Sequence, residues 1–348
     1  MSTTVLIHKV VLEEVSYPLK TPFKTALRQA IHSQSLYVKI YCLNGIVGLG
    51  ECTETIAITG ESLSSQKYII EKFFIPQLQN KNILEYESLL NDLHYLAPNN
   101  YSAKAAINCA IYDCVSQYYQ LSIYQLLGGK QKELTTSVTV SLDAISEMIF
   151  QTKNYIEKGY KLLKLKLGND ITLDIERFIE LCRIVPDDVI VRIDANQGWT
   201  FKESWRFINE THSYHSKIQF LEQPVHKTKL QELKQLKNET PLFLMADESI
   251  FDCVDARVAL ELGAVDAINI KLMKCGGISQ AMQLANLANI YQVPCMLGCM
   301  LETEVAITHA LQVAYSNSNI HYIDLDSPLL INQPLNKLNY TDGKISIQ

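Results

Sequence analysis

Leu162-Leu163-Lys164-Leu165-Lys166-Leu167 alternates leucine with lysine. Side chains on a strand alternate faces, so both lysines point one way and Leu163, Leu165 and Leu167 the other. In a parallel barrel the outward face meets helices and must be apolar, so the two amines point into the lumen. The same parity places Arg192 with Asp194, and Asn269 with Lys271, on inward faces.

Around this run the chain repeats one rhythm. Strand-like segments occur at 136–141, 162–167, 189–194, 218–222, 242–247, 267–271, 294–297 and 320–325. Helix-like segments at 143–158, 172–184, 200–211, 255–262 and 278–291 fall between them. Alternating βα units predict a parallel sheet, and this many predict closure into an α/β barrel of seven or eight strands. Residues before about 130 read differently. Strands at 5–17, 35–41 and 46–51, with an Asn44-Gly45 hairpin turn, precede helices at 62–77 and 103–127. The expected organisation is an α+β domain over 1–130, a barrel over 131–326, and a tail over 327–348 that returns to the first domain.

Composition narrows the class. The chain has 348 residues, a formal net charge of −6 and 47% hydrophobic residues. A sizeable core is available, and the absence of a basic run argues against nucleic acid as a partner. No apolar stretch approaches the roughly 20 residues of a membrane span. Met1-Ser2-Thr3-Thr4-Val5 lacks the basic and apolar segments of a signal peptide. The nine cysteines form no CxxC and suit a reducing cytoplasm.

Asp194, Glu222 and Asp247 each close a strand-like run just before loop residues, at the barrel end where active sites form. Crowded carboxylates repel unless a cation joins them. An oxygen-only set suits Mg²⁺, with Mn²⁺ possible, whereas zinc recruits His or Cys. Taken singly, a Lys-x-Lys is more often a solvated edge and a strand-end Asp a helix cap. Here they occur in order and with matched parity, and Lys166 and Lys271 flank the acidic set as candidate bases.

Lys164-Leu-Lys166, Asp194-Ala-Asn196, Glu222-Gln-Pro224, Asp247-Glu-Ser249 and Lys271-Leu-Met-Lys-Cys-Gly-Gly277 resemble the muconate-lactonising-enzyme subgroup of the enolase superfamily. The resemblance spans nearly the whole chain. It implies an α+β capping domain, built from the N-terminal part and the tail, over a modified (β/α)₇β TIM barrel. It also implies a lysine base and Mg²⁺ acting on an ene-diolate. Asp324-Leu-Asp326, Pro22 to Arg28 and Ile58 to Ser62 resemble the dipeptide epimerases within that subgroup, in particular L-Ala-D/L-Glu epimerases.

The resemblance implies residue roles. Lys166 and Lys271 would each serve one epimer in a two-lysine 1,1-proton transfer through a metal-stabilised enediolate. Asp194, Glu222 and Asp247 would hold the metal, and Lys164 would steady the developing charge. Asp324 and Asp326, sharing a face by period 2, would bind the dipeptide's α-ammonium. Arg28 would meet the acidic side chain of its second residue, with Lys24, Thr139, Cys299 and Met300 as further contacts. Nearby cations should pull the base lysine's pKa down. The resemblance further implies a homo-oligomer that handles murein-derived peptides. Competing readings are o-succinylbenzoate synthase, N-acylamino acid racemase or muconate cycloisomerase on the same scaffold, or a non-catalytic barrel binding a small acidic ligand. The three enzymes act on substrates without a free ammonium and leave Asp324 and Asp326 without a purpose. The binding barrel leaves the two opposed lysines unexplained.

Overall fold

A computed structural model describes residues 4–348; Met1, Ser2 and Thr3, part of the stretch read for a leader, lie outside the described residues. Strands β1 (Ile7–Lys24), β2 (Gln29–Cys42) and β3 (Val47–Thr53) form an antiparallel sheet in that order. The first two are longer than the sequence suggested. Thr25 N donates to Arg28 O at 2.9 Å, so the β1–β2 turn falls at Thr25–Arg28 and Arg28 sits at a hairpin tip. Register shifts between Pro18 and Phe23 let β1 run past its proline.

Helix Tyr101–Tyr119 packs behind this sheet and stops before the predicted end. Gln120 turns left-handed, and Ser122 opens a separate short helix, Ile123–Leu126, through a capping box with Gln125. A helix at Tyr86–Leu96 was not anticipated, although Leu89, Leu90 and Leu93 make its buried stripe.

After β4 (Leu134–Thr135) comes the barrel: β5 (Val138–Val140), β6 (Leu162–Lys166), β7 (Ile190–Asp194), β8 (Ile218–Glu222), β9 (Leu244–Ala246), β10 (Ala267–Ile270), β11 (Cys295–Gly298) and β12 (Ile320–Asp324). All eight are parallel and paired in sequence order. Every interval carries a main helix, including Leu230–Glu239 and Glu304–Ser316, with a short extra turn at Leu272–Cys275 before Ile278–Ile290, which gives (β/α)₇β. Between β12 and β5 the ladder shrinks to a single bridge, Thr136–Ile323, so the barrel is nearly closed.

Leu163, Leu165 and Leu167 are fully buried in the main core. Phe220, Met245, Ala267 and Met296 form a second, small cluster. Phe220 and Met245 stand two residues before Glu222 and Asp247, so the same inward face carries an apolar floor and then a polar top. The Arg192 guanidinium lies 5.2 Å from the Phe220 ring centre and 5.8 Å from that of Tyr322, and donates to Ile323 O at 2.6 Å.

The three-stranded sheet caps the barrel top through the loop after β11. Ser33 Oγ donates to Leu301 O at 2.7 Å, and the Thr303 amide and hydroxyl donate to Glu51 at 2.9 and 2.6 Å. The tail first touches β1, where Asn332 N donates to Pro18 O at 2.9 Å. It then forms a hairpin, β13 (Leu338–Thr341) and β14 (Lys344–Ile347), and β14 pairs with β4.

Candidate active site

Period-2 alternation sends Lys164, Lys166, Asp194, Glu222 and Asn269 into the lumen at the C-terminal strand ends. Asp247 and Lys271 follow one residue beyond β9 and β10. One oxygen from each of Asp194, Glu222 and Asp247 falls within a group spanning 4.8 Å, and all three residues are fully buried. They lie on the tips of three adjacent strands. β6 and β10 are the second and sixth of the eight strands, four apart, so Lys166 and Lys271 stand on opposite walls.

Each lysine reaches the acidic tips. Lys166 Nζ is 2.6 Å from Asp194 and Lys271 Nζ is 2.6 Å from Asp247. Lys164, 1% exposed, lies deeper, with Nζ at 3.0, 2.8 and 2.8 Å from Asp194, Glu222 and Asp324. Burial opposes its charge, but Asp194, Asp324, Glu222 and Asp247 outweigh that and hold its pKa well above the usual lysine range. The same contest raises Lys271, where Asp247 prevails over burial. The expected lowering of the base lysine's pKa depends on the metal as well as the lumen amines; with the Asp247 carboxylate as its immediate neighbour, Lys271 is held in its charged form.

The acids divide. Burial opposes ionisation of Asp194 and Asp247, but lysines overcome it and hold both below the ordinary range. Glu222 goes the other way, pushed up to about 8 by burial and then by Asp194. Glu222 Oε2 and Asp247 Oδ1 accept no hydrogen bond of good geometry, although each has an ammonium nearby, at 2.8 Å from Lys164 and 2.6 Å from Lys274 respectively. Buried carboxylate oxygens short of donors, in an all-oxygen set, fit a hard divalent cation.

A cavity opens above these tips. Its lining includes Arg28, Thr139, Lys166, Lys271, Cys299, Met300, Asp324 and Asp326. β12 ends at Asp324, opposite β8 in the barrel circle. Asp326 does not share its face by strand period. Its backbone is already helical (φ −94°, ψ −3°), so the chain turns and brings both carboxyls to the cavity. Asp326 occupies a helix N-cap position but its side chain caps nothing; Oδ2 accepts Thr139 N–H at 2.6 Å. Burial and Asp324 raise its pKa to about 7, whereas Lys164 and Lys166 overcome burial at Asp324 and hold it low.

The half-buried Arg28 lines the cavity rim, and no carboxylate among the described residues pairs with it. Lys24 is absent from the lining: its Nζ pairs with Asp143 at 2.6 Å, turned outward along the β1 edge. Cys299 Sγ contacts Asp324 O at 3.3 Å, and burial holds its thiol well above the usual range.

The sequence reading gave no role to three residues near the tips. Glu248 lines the cavity, pushed up to about 7 by burial and then Asp247, and accepts from Asn196 Nδ2 at 3.2 Å. Lys274 braces Asp247 from behind, donating also to Asn269 O at 3.0 Å. Gln223, left-handed at φ 37°, holds the Asp247 and Ser249 amides with its Oε1 at 2.9 and 3.2 Å. All three fall inside the quoted motifs, which is the one signal that pointed to them.

Glu302, below the cavity, carries a stability prediction. Burial, opposed by the Met300 N–H, raises its pKa from 4.5 to about 8. The folded state thus favours the protonated form. Its contribution is complete below pH 4.5 and is lost as pH climbs through about 8. Glu302→Gln should flatten this part of the stability–pH curve and make the protein more stable than wild type above pH 8. Urea melts at pH 6 and pH 9 measure it, and an equal change at both would refute it.

Comparisons with known proteins agree with this geometry. Residues 7–128 match the family described as mandelate racemase / muconate lactonizing enzyme, N-terminal domain, and residues 147–347 match enolase C-terminal domain-like. An L-Ala-D/L-Glu epimerase of Clostridium acetobutylicum is 40% identical over 325 residues, covering 93% of this chain and 91% of that protein. The substrate-liganded L-Ala-D/L-Glu epimerase of Bacillus subtilis superposes with a TM-score of 0.96 at 39% identity, over 99% of this chain and 96% of that one. A dipeptide epimerase of Cytophaga hutchinsonii, complexed with Mg and D-Ala-L-Val, gives a TM-score of 0.94 at 30% identity over 98% and 93%. With two lysines opposed across acidic strand tips and both halves matched, the chain belongs to the mandelate racemase / muconate lactonizing enzyme family of the enolase superfamily.

Proposed function

We propose that this chain is a Mg²⁺-dependent dipeptide epimerase, specifically an L-Ala-D/L-Glu epimerase, that inverts the α-carbon of the C-terminal residue. The observation that carries this reading is the opposition of Lys166 and Lys271 across one cavity, with acidic tips along the wall between them and Asp324 and Asp326 on the facing wall. Relatives named L-Ala-D/L-Glu epimerase, similar over 93% of the chain, support the substrate class.

Asp194, Glu222 and Asp247 hold the cation, which when bound supplies Lewis acidity toward the substrate carboxylate. Lys164 sets a fixed positive charge beneath the site where negative charge develops. One lysine takes the α-proton from its face, and the other returns a proton to the opposite face. Engaging Asp247 in cation binding removes the counterion of Lys271 and favours the neutral amine a base needs. Asp324 and Asp326 take the free α-ammonium, and Arg28 takes a γ-carboxylate with its planar fork. Thr139, Cys299 and Met300 shape the wall around the peptide. Lys24, tied to Asp143, has no part in this reading. The same relationship leads us to infer a homo-oligomeric, cytoplasmic enzyme that handles murein-derived peptides. The division into cap (1–130), barrel (131–326) and tail (327–348) is part of this proposal.

The test is a dipeptide library incubated in D₂O with Mg²⁺ and read by mass spectrometry. Deuterium should enter the C-terminal residue of L-Ala-L-Glu and its neighbours. A protein that binds acidic dipeptides without exchanging the α-proton would be a binding barrel. For Asp326→Asn, kcat/KM on L-Ala-L-Glu should fall by about tenfold to a hundredfold, the worth of a charge-assisted contact. N-acetylated dipeptides should be unaffected; an equal fall on both substrate types would remove the ammonium role.

A further inference from the structure

A second, smaller and partly open cavity lies on the flank of the molecule, away from the strand tips. It sits at the seam between helix Tyr101–Tyr119 and the segment that leads from Lys271 to helix Ile278–Ile290. The seam is tight: a Cβ on Gly277 would fall 2.6 Å from Asn108 Cβ. Phe74, Leu90, Leu93 and Ile107 give the cavity an apolar floor, and all four are buried.

Lys104 projects from this seam. The residue is 7% exposed, its ammonium opens to the cavity, and among the described residues that ammonium has no hydrogen bond or ion pair. It stands over the Tyr101 ring face, 5.4 Å from its centre. The acids that influence it are engaged elsewhere. Glu61 accepts the Ser102 and Ala103 amides at 2.9 and 3.1 Å. Asp252 accepts Tyr101 O–H at 2.9 Å and caps its own helix through Val254 and Asp255 N–H. The ammonium faces the cavity while the nearby acids are engaged elsewhere, so it is free to take an acceptor from a ligand.

Two neighbours add to the same polarity. Helix Ile278–Ile290 begins at the cavity with Gly277 as N-cap, which offers no side chain. Asn108 Oδ1 accepts only the first amide, Ile278 N–H, at 2.8 Å. The following Ser279 and Gln280 line the cavity and belong to the open, positive end of the helix. His94, on the opposite side, can donate a ring N–H. Glu87 is the one acid in the lining, and it already accepts Tyr112 O–H at 3.2 Å.

We propose that this cavity is a second binding site, for a small organic carboxylate whose head pairs with Lys104 at the start of helix Ile278–Ile290 and whose apolar body covers Phe74, Leu90 and Ile107. The site is separate from the epimerase centre and does not depend on that reading. It lies on the chain segment that continues from Lys271, so occupancy braces that segment against the cap.

The experiment titrates hexanoate calorimetrically into enzyme saturated with Mg²⁺ and L-Ala-L-Glu, so that the strand-tip site is already filled. Hexylammonium and inorganic phosphate are the controls. The expected result is one hexanoate per chain, with neither control bound. Lys104→Met should weaken hexanoate by at least about tenfold while epimerisation continues at the wild-type rate. Lys104→Arg should keep binding within about threefold, because its charge remains. Should Lys104→Met fail to fold, Gln283→Trp, on the exposed helix face at the mouth, blocks entry and should abolish binding. Hexanoate that does not bind, that binds equally to Lys104→Met and Gln283→Trp, or that is matched by hexylammonium overturns the proposal. Phosphate binding in place of hexanoate overturns the apolar half of the site.

Discussion

Lys271→Ala should lose epimerisation by at least about a thousandfold, within the range typical of a deleted acid–base group. The loss should be one-sided in a diagnostic way. Lys166 remains on its own wall, four strands from position 271, and can still exchange the proton on its face with solvent. One epimer of L-Ala-Glu should therefore exchange its α-proton with D₂O at a rate near that of wild type, while the other stays protonated. Lys166→Ala should give the mirror result. Proton NMR in D₂O, started from each epimer in turn, distinguishes them. A Lys271→Ala enzyme that epimerises at the wild-type rate, or two variants that exchange the same epimer, would end the two-base scheme. The geometry makes this sharp. Both lysines are fixed by β-strand ends and by ion pairs at 2.6 Å, so neither reaches the far face by bending alone.

The second large effect concerns the acidic tips. Glu222→Gln keeps the shape of the side chain and removes one of three anionic ligands. Lys164 retains Asp194 and Asp324, so the fold should stand. Wild-type protein should gain stability from Mg²⁺ by mass action, about 2.7 kcal/mol at a hundredfold excess over Kd. Glu222→Gln should lose most of that gain, and activity should drop by at least about a hundredfold. Thermal melts with and without Mg²⁺, after chelation by EDTA, measure the first effect and the deuterium assay the second. A full Mg²⁺-dependent shift in Glu222→Gln would show that the ion binds elsewhere. Lys164 sharpens the reading: it is the lysine that contacts Glu222, and with Asp194 and Asp324 kept, removal of that acid leaves it paired rather than exposing a buried charge.

Strand parity made much of this centre visible before any coordinates. Lys164, Lys166, Asp194, Glu222 and Asn269 are lumen residues because side chains two apart on a buried strand share a face, and only the lumen tolerates charge there. The βα rhythm made the barrel visible for the same reason: a strand apolar on its outer face needs a helix against it. Asp326 shows where parity stops. It lies past the end of β12, and its approach to Asp324 comes from a turn that local spacing does not encode. Lys24 shows a second limit, since pairing with Asp143, far along the chain, decides which way a flexible side chain points. Glu248, Lys274 and Gln223 stood inside the motifs, but their purpose depends on which groups the fold brings against them.

The sequence by itself determined the order of the barrel strands, their inward faces and the set of acids and amines at their ends. These are local properties, governed by side-chain period and turn chemistry. Only the tertiary structure decided that Lys166 and Lys271 oppose one another, that Lys271 pairs with Asp247, and that Lys104 finds no acceptor among the described residues. Those facts depend on ring closure and burial, which bring residues distant in sequence to within a few ångströms and there let Coulomb attraction contend with desolvation.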